Sequence, residues 1–140
     1  MNNSTLTLFL IGSGIGHIAS SLGSIAVPTL LDWKKHINAC PPLMRQVFWV
    51  YSAYIKMIGI AFGLVSILGR DEMLGTSFLA KSINLFIVIY WTGRLGLGFI
   101  YYDRSTLTGI AKLSDRTLNV LIVFFIVVHG MAFAKNMRLM

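Results

Sequence analysis

The chain has 140 residues, of which 56% are hydrophobic and only 12% are charged. A soluble domain carries about twice that share of charged residues, so this composition excludes a water-soluble globular protein. The formal net charge is +7, but the basic residues are scattered over the loops, which argues against nucleic-acid binding. The single cysteine, Cys40, excludes an intrachain disulfide and a cysteine-rich metal site.

Four apolar segments each have about the 20 residues that an α-helix needs to cross a bilayer. They cover Thr5–Val27, Phe48–Leu68, Leu79–Tyr102 and Leu118–Met137. Their short connections favour an up-down four-helix bundle in which the first and fourth helices are neighbours. We therefore predict an all-α integral membrane protein, with residues 1–140 forming one transmembrane domain.

The first span contains His17 and is predicted to stay in the mature protein. A cleavable signal peptide opens with a basic region and a short apolar stretch, whereas residues 1–16 contain no Lys or Arg. Small residues recur along this span at steps of three or four and can line a face for close helix packing. These residues are Gly12, Gly16, Ser20 and Gly23.

The first loop predicts a short helix lying on the membrane surface. Pro28 suits the first turn of a helix, and Pro41 and Pro42 end the segment. Between them, apolar and charged side chains are interspersed, as is typical of an interfacial helix. The apolar ones are Leu30, Leu31, Trp33 and Ile37, and the charged ones are Asp32, Lys34 and Lys35.

The stretch from Pro41 to Tyr54, with the sequence PPLMRQVFWVYSAY, leads from this loop into the second span. It resembles a stretch of uncharacterised small four-helix bacterial inner-membrane proteins. The resemblance covers one loop and one helix start, implies a bacterial inner membrane, and implies no function.

Basic residues are more frequent in the first and third loops than on the opposite side. The first and third loops hold six of them, Lys34, Lys35, Arg45, Arg104, Lys112 and Arg116. The second loop and the C-terminal tail hold three, Arg70, Lys135 and Arg138. Because short cytoplasmic loops are enriched in Lys and Arg, we predict that both termini lie outside the cytoplasm.

The second and third spans contain the cations Lys56 and Arg94, and the fourth contains His129. At a helical rise of about 1.5 Å per residue, Lys56 and Arg94 lie about 12 Å deep and the two histidines about 15 Å. Ionisable residues at such depths usually face the protein interior and have a function. All five acids lie in loops, so no carboxylate in a span can pair with these cations.

Two interpretations of the histidines follow from their matched depth on neighbouring helices. His17 and His129 could be the axial ligands of a b-type haem, with Lys56 and Arg94 facing its propionates. Alternatively, both histidines are neutral and hydrogen-bonded to serine or backbone carbonyls. The cations likewise have alternatives. They could extend toward the headgroups, bond to a partner subunit, or bind an anionic lipid or a quinone-like ligand.

Motifs for a catalytic metal, a phosphate loop or a nucleophile elbow are absent from the sequence. With so little chain outside the bilayer, the leading hypothesis is a non-catalytic small subunit of a larger membrane complex, whose partners are lipid and other subunits. The alternatives are a haem-binding electron-transfer subunit using His17 and His129, and a lipid or quinone-like binding protein using Lys56 and Arg94.

Overall fold

The computed structural model describes residues 3–105 and 107–139, without the side chain of Lys34. Within these residues the chain forms helices and no strands. The helices are α1 (Asn3–Gly23), α2 (Val27–Leu30), α3 (Trp33–Asn38), α4 (Pro42–Leu68), α5 (Arg70–Met73), α6 (Phe78–Ile100) and α7 (Gly109–Asn136). A 3₁₀ turn at Ser24–Ala26 joins α1 to α2, so that helical structure runs from Asn3 to Leu30.

Four helical segments are long and apolar enough to cross a membrane, which confirms the predicted all-α four-span fold. Two of them begin earlier than expected: α4 begins at Pro42 instead of Phe48, and α7 begins at Gly109 instead of Leu118. Hydropathy identifies only the part of a helix that lies in hydrocarbon. The helix itself continues into the headgroup layer, where polar side chains are solvated.

The predicted surface helix of the first loop is present as two short pieces, α2 and α3. They are separated at Asp32, whose φ of 49° is left-handed, a conformation that Asp adopts more readily than most residues. After this bend, Trp33 packs edge-to-face on Phe48, with ring centroids 5.3 Å apart. This contact holds α3 against the beginning of α4.

Glycines bring the backbones of α1 and α4 into close contact. A Cβ atom added to Gly63 would lie 2.7 Å from the carbonyl oxygen of Gly14, which leaves no room for a side chain. Gly14 lies off the predicted row of small residues in the first span, whose Gly12 and Gly16 face Phe124 and Phe125 of α7 instead. In α6, by contrast, an added Cβ at Gly93 or Gly96 would meet no atom within 4 Å, so these glycines do not mediate packing.

The other contacts place α7 between α1 and α6. Phe125 of α7 stacks on His17 of α1 at 3.7 Å and lies 5.2 Å from Trp91 of α6, as measured between ring centroids. The predicted neighbourhood of the first and fourth spans is thus confirmed. Between α4 and α6, Phe62 packs edge-to-face on Phe86 and Tyr90.

Candidate functional site

The four site residues predicted from the sequence fall into two groups. His17 and His129 lie together at the centre of the bundle, with ring centroids 5.6 Å apart. Lys56 and Arg94 both line a cavity of about 830 Å³. One end of the bundle carries this cavity together with α2, α3 and residues 101–105 and 107–108. We call it the cavity end.

His17 is completely buried and uses both ring nitrogens. Its Nδ1–H donates to the carbonyl oxygen of Ser13, one turn earlier in α1, at 2.8 Å. The indole N–H of Trp91 in α6 donates to Nε2, also at 2.8 Å. Because an indole nitrogen can only donate, Nε2 must be the unprotonated acceptor. The hydrogen bonds therefore define His17 as a neutral imidazole with its proton on Nδ1.

Asn84 of α6 defines the tautomer of His129 in the same way. The amide nitrogen of Asn84 donates to the backbone carbonyls of Met73 and Ala80 at 2.9 and 3.1 Å. Its Oδ1 atom therefore faces His129 and accepts from Nδ1–H at 3.1 Å. The remaining nitrogen of His129, Nε2, is an acceptor.

The hydroxyl of Ser13 connects the two histidines. It lies 3.2 Å from Nε2 of His129 and 3.4 Å from Nδ1 of His17. Since His17 already donates to a backbone carbonyl, the Ser13 hydroxyl donates to His129. Ser66 of α4 lies 3.5 Å from the same Nε2 atom, but its hydroxyl donates to the carbonyl oxygen of Phe62 at 2.7 Å.

Asn136 of α7 extends these hydrogen bonds toward α5. Its Oδ1 lies 2.8 Å from the amide nitrogen of Asn84, so the two N–H groups of that amide are shared among three acceptors. Its own amide nitrogen donates to the backbone carbonyls of Met73, at 2.9 Å, and Gly75. We call the connected side chains the central network: Ser13, His17, Asn84, Trp91, His129 and Asn136.

The central network does not fit the haem predicted for the two histidines. Axial ligation needs a free lone pair on each imidazole and room for a macrocycle between the rings. Here Trp91 donates to the lone pair of His17, and Ser13 donates to that of His129. Phe125 also covers one face of the His17 ring. The geometry instead matches the alternative, neutral histidines that hydrogen-bond across helices.

Ser13, His129 and Asn84 also have the order of a nucleophile, a base and an orienting group. A catalytic serine, however, must reach its substrate. Ser13 is completely buried, and it does not line the cavity. We therefore interpret the central network as a set of hydrogen bonds that fixes how the four helices pack.

In the described part of the chain, no cluster of three or more His, Cys, Asp or Glu residues could bind a metal.

Sequence analysis missed Asn84, Trp91 and Asn136. A hydrogen-bonded role for Asn84 could have been predicted, because a polar amide within an apolar span is costly unless it is hydrogen-bonded. The role of Trp91 could not have been predicted, since a tryptophan in a membrane helix is as readily explained by its apolar ring as by its N–H group.

The cavity is bordered by all four long helical segments and by residues that connect them at the cavity end. Its volume is within the range of about 300–1,000 Å³ that is typical of small-molecule sites. Most of its wall is apolar and comes from α2, residues 48–56 of α4, and α7. The apolar lining includes Val27, Leu30, Leu31, Phe48, Ile55 and Leu118.

The side chains of Lys56 and Arg94 both extend toward the cavity end. Nζ of Lys56 donates to the hydroxyl of Ser52, one turn nearer that end, at 2.9 Å. The guanidinium of Arg94 passes Gly98 and lies over the ring of Tyr102, 5.0 Å from its centroid. This is the direction predicted for cations that extend toward the headgroups. Both charged groups nevertheless line a cavity inside the protein.

Three further charges line the cavity. Arg104 and Asp115 form an ion pair, with Nε and Oδ2 3.0 Å apart. Asp103 is exposed, and its Oδ1 accepts from the backbone N–H of Ser105 at 2.9 Å. That hydrogen bond holds the pKa of the Asp103 carboxyl below its usual range. Across the described residues, neither Lys56 nor Arg94 has a carboxylate within 4.0 Å.

No family model, curated protein or solved structure matches this chain at a significant level. A function can therefore be inferred only from the geometry of the central network and of the cavity. Of these two sites, only the cavity can be reached from outside the protein.

Proposed function

We propose that this membrane protein binds a negatively charged ligand in the cavity, with Lys56 and Arg94 as the binding residues. The observation that carries the proposal is that both cations line one mostly apolar cavity and neither has a carboxylate partner in the described chain. An unpaired cation near hydrocarbon is costly, so such residues pair with another group or serve a ligand.

The surroundings of the two cations support this role. Arg94 lies over Tyr102, and such a stacked guanidinium can still bind a phosphate or carboxylate with the N–H groups at its edge. Lys56 already has Ser52 as a hydrogen-bond partner, and the hydroxyl can itself donate to a ligand. The Arg104–Asp115 pair adds no net charge, which leaves two unpaired cations and the exposed Asp103 in the wall.

The proposal is tested with a short-chain, water-soluble anionic phospholipid. The protein in neutral detergent is titrated with dihexanoyl phosphatidylglycerol, and its thermal unfolding is followed. A ligand that binds only the folded state raises the melting temperature in a concentration-dependent way. We expect this rise with phosphatidylglycerol and not with the zwitterionic phosphatidylcholine of the same chain length.

Charge-removing variants identify the site. Lys56→Gln and Arg94→Gln should each reduce the rise in melting temperature. Lys112→Gln removes an equal charge from the same end but is exposed and does not line the cavity, so it should keep the full rise. Equal responses to the anionic and zwitterionic lipids in all variants would contradict the proposal. The same would follow if only an uncharged quinone-like ligand stabilised the protein.

A role as a small subunit of a larger complex, in a bacterial inner membrane, is the second proposal. It is supported by the apolar outer face of α7, where Val120, Val123 and Val127 are about half exposed or more. Lipid covers such a face equally well, so the cavity carries the main proposal. Purification in a mild detergent tests the subunit proposal. A subunit should co-purify with a companion protein in a fixed ratio, and a pure monomer would argue against this role.

A further inference from the structure

The cavity is not closed off at Ile55 of α4. Ile55 lines the cavity and is 60% exposed. It lies seven residues beyond the predicted membrane boundary at Phe48, which corresponds to a depth of about 10 Å. At that depth the surroundings of the bundle are hydrocarbon, not water.

Lys56 of α4 and Arg94 of α6 line the same cavity, so both helices border it. The two helices meet through the contacts of Phe62 with Phe86 and Tyr90, at ring-centroid distances of 5.8 and 5.3 Å. Phe62 is two turns farther from the cavity end than Ile55. Toward the cavity end, the side chains that α4 presents to the cavity are Ile55, Lys56, Ser52, Tyr51 and Phe48.

Along α4, the charged and apolar parts of the cavity follow the order of a lipid molecule. The ammonium group of Lys56 bonds to Ser52, which lies four residues from the predicted boundary, or about 6 Å. A phosphate held there stays close to the headgroup layer. Ile55 lies deeper, where an acyl chain attached to that phosphate would run.

We infer that the ligand is an anionic phospholipid of the bilayer, which enters sideways between α4 and α6. Its phosphate binds Lys56 and Arg94, and an acyl chain lies in the opening at Ile55. The inference rests on the proposed function and deepens it, because a soluble anion would satisfy the cations without using the apolar wall. The two cations lie on α4 and α6, so a bound phosphate also bridges the two sides of the opening.

The test uses the full chain in nanodiscs that contain dioleoyl phosphatidylglycerol and dioleoyl phosphatidylcholine in equal amounts. Native mass spectrometry after release counts the lipids that stay bound to the protein. We expect one retained phosphatidylglycerol per chain. Arg94→Gln should weaken its binding by at least about tenfold, the effect of losing a charge-assisted hydrogen bond.

The side opening is tested with a matched pair of variants. Ile55→Trp places a bulky ring in the opening and should strongly reduce lipid retention. Met57→Trp makes the same kind of change two residues away, at a side chain that is 62% exposed and does not line the cavity, and it should retain the lipid. Because both positions are exposed on a helix surface, neither change should prevent folding.

Inorganic phosphate separates this inference from the proposed function. Suppose that phosphate competes fully with the lipid and that Ile55→Trp retains as much lipid as Met57→Trp does. The inference that a lipid enters sideways is then wrong, whereas the proposed anion site is still supported. If neither Lys56→Gln nor Arg94→Gln weakens the binding of phosphate or of lipid, the proposed function itself is wrong. Loss of lipid in Ile55→Trp alone, with phosphate binding unchanged, supports the inference.

Discussion

At the residue scale, each buried polar group of the central network has a hydrogen-bond partner on another helix or one turn away. Trp91 and His17 form the direct link between α6 and α1, and His129 and Asn84 link α7 to α6. In a low-dielectric interior, a polar group that loses its partner costs more than the bond itself contributes. The network therefore penalises any helix arrangement that separates these pairs.

Replacing Trp91 by Phe should lower the stability of the protein for this reason. The change leaves Nε2 of the fully buried His17 without a donor, and we expect the free energy of unfolding to fall by about 1–3 kcal/mol. Unfolding by a denaturing detergent, followed by circular dichroism, measures the loss. Trp49→Phe removes the same atoms from a partly exposed tryptophan and should cost less. Equal losses in the two variants would show that only the ring volume matters at position 91.

A second residue-scale prediction concerns the ion pair in the cavity wall. Asp115→Asn removes the partner of Arg104 and leaves a third unpaired cation beside Lys56 and Arg94. The affinity for phosphatidylglycerol should then rise by roughly three- to tenfold, as expected for one unit charge at a partly hydrated site. Lipid titration by native mass spectrometry measures this change. An unchanged or weaker affinity would mean that the bound headgroup does not approach Arg104.

At the element scale, the packing of α1 on α4 depends on glycine more than on any polar contact. The two backbones meet at Gly14 and Gly63, each of which would place an added Cβ within 3 Å of the other's carbonyl oxygen. Helices in a bilayer gain little from burying apolar surface, so such close contact supplies much of their attraction. The pair α1 and α4 is therefore more sensitive to side-chain size than α6 and α7 are.

Gly63→Ala should lower the free energy of unfolding by about 1–3 kcal/mol, because the methyl group forces the two backbones apart. Gly93→Ala is the control, since its added Cβ meets no atom within 4 Å. That variant should leave stability unchanged or raise it by up to about 1 kcal/mol through better helix propensity. Detergent-induced unfolding measures the free energy of unfolding of both variants. Similar losses in the two variants would contradict the close approach of α1 to α4.

At the scale of the whole molecule, the distribution of charge predicts how the chain is oriented in the membrane. The first and third loops lie at the cavity end and carry most of the basic residues, although Lys81 in the first turn of α6 adds one to the opposite side. If the positive-inside rule holds, the cavity faces the inner leaflet. That leaflet carries the anionic lipids that attract basic segments.

Cys40, the only cysteine of the chain, makes this orientation measurable. It lies in the first loop and is partly exposed. A membrane-impermeant maleimide should label it in inside-out vesicles and not in intact spheroplasts. For comparison, Cys40→Ser combined with Thr76→Cys places the thiol in the second loop, at an exposed position. Labelling of Cys40 in intact spheroplasts would reverse the predicted orientation.

The sequence by itself determined the number of spans and placed His17, Lys56, Arg94 and His129 within them. Both follow from local chemistry, since about 20 apolar residues in a row cross a bilayer whatever packs beside them. The row of small residues in the first span correctly indicated a packing face, because residues three or four apart share one side of a helix. It did not identify the approach to α4, since Gly12 and Gly16 face Phe124 and Phe125 of α7, whereas Gly14, which lies off that row, meets Gly63.

Only the tertiary structure decided which groups surround the ionisable residues. Equal depth made a shared haem plausible for His17 and His129, but depth does not reveal the direction of a ring or its hydrogen-bond partners. Trp91 and Asn84 occupy the ring nitrogens, and both come from a helix other than those of the two histidines. The cavity likewise depends on packing between segments distant in sequence, since its lining runs from Ser24 to Leu118.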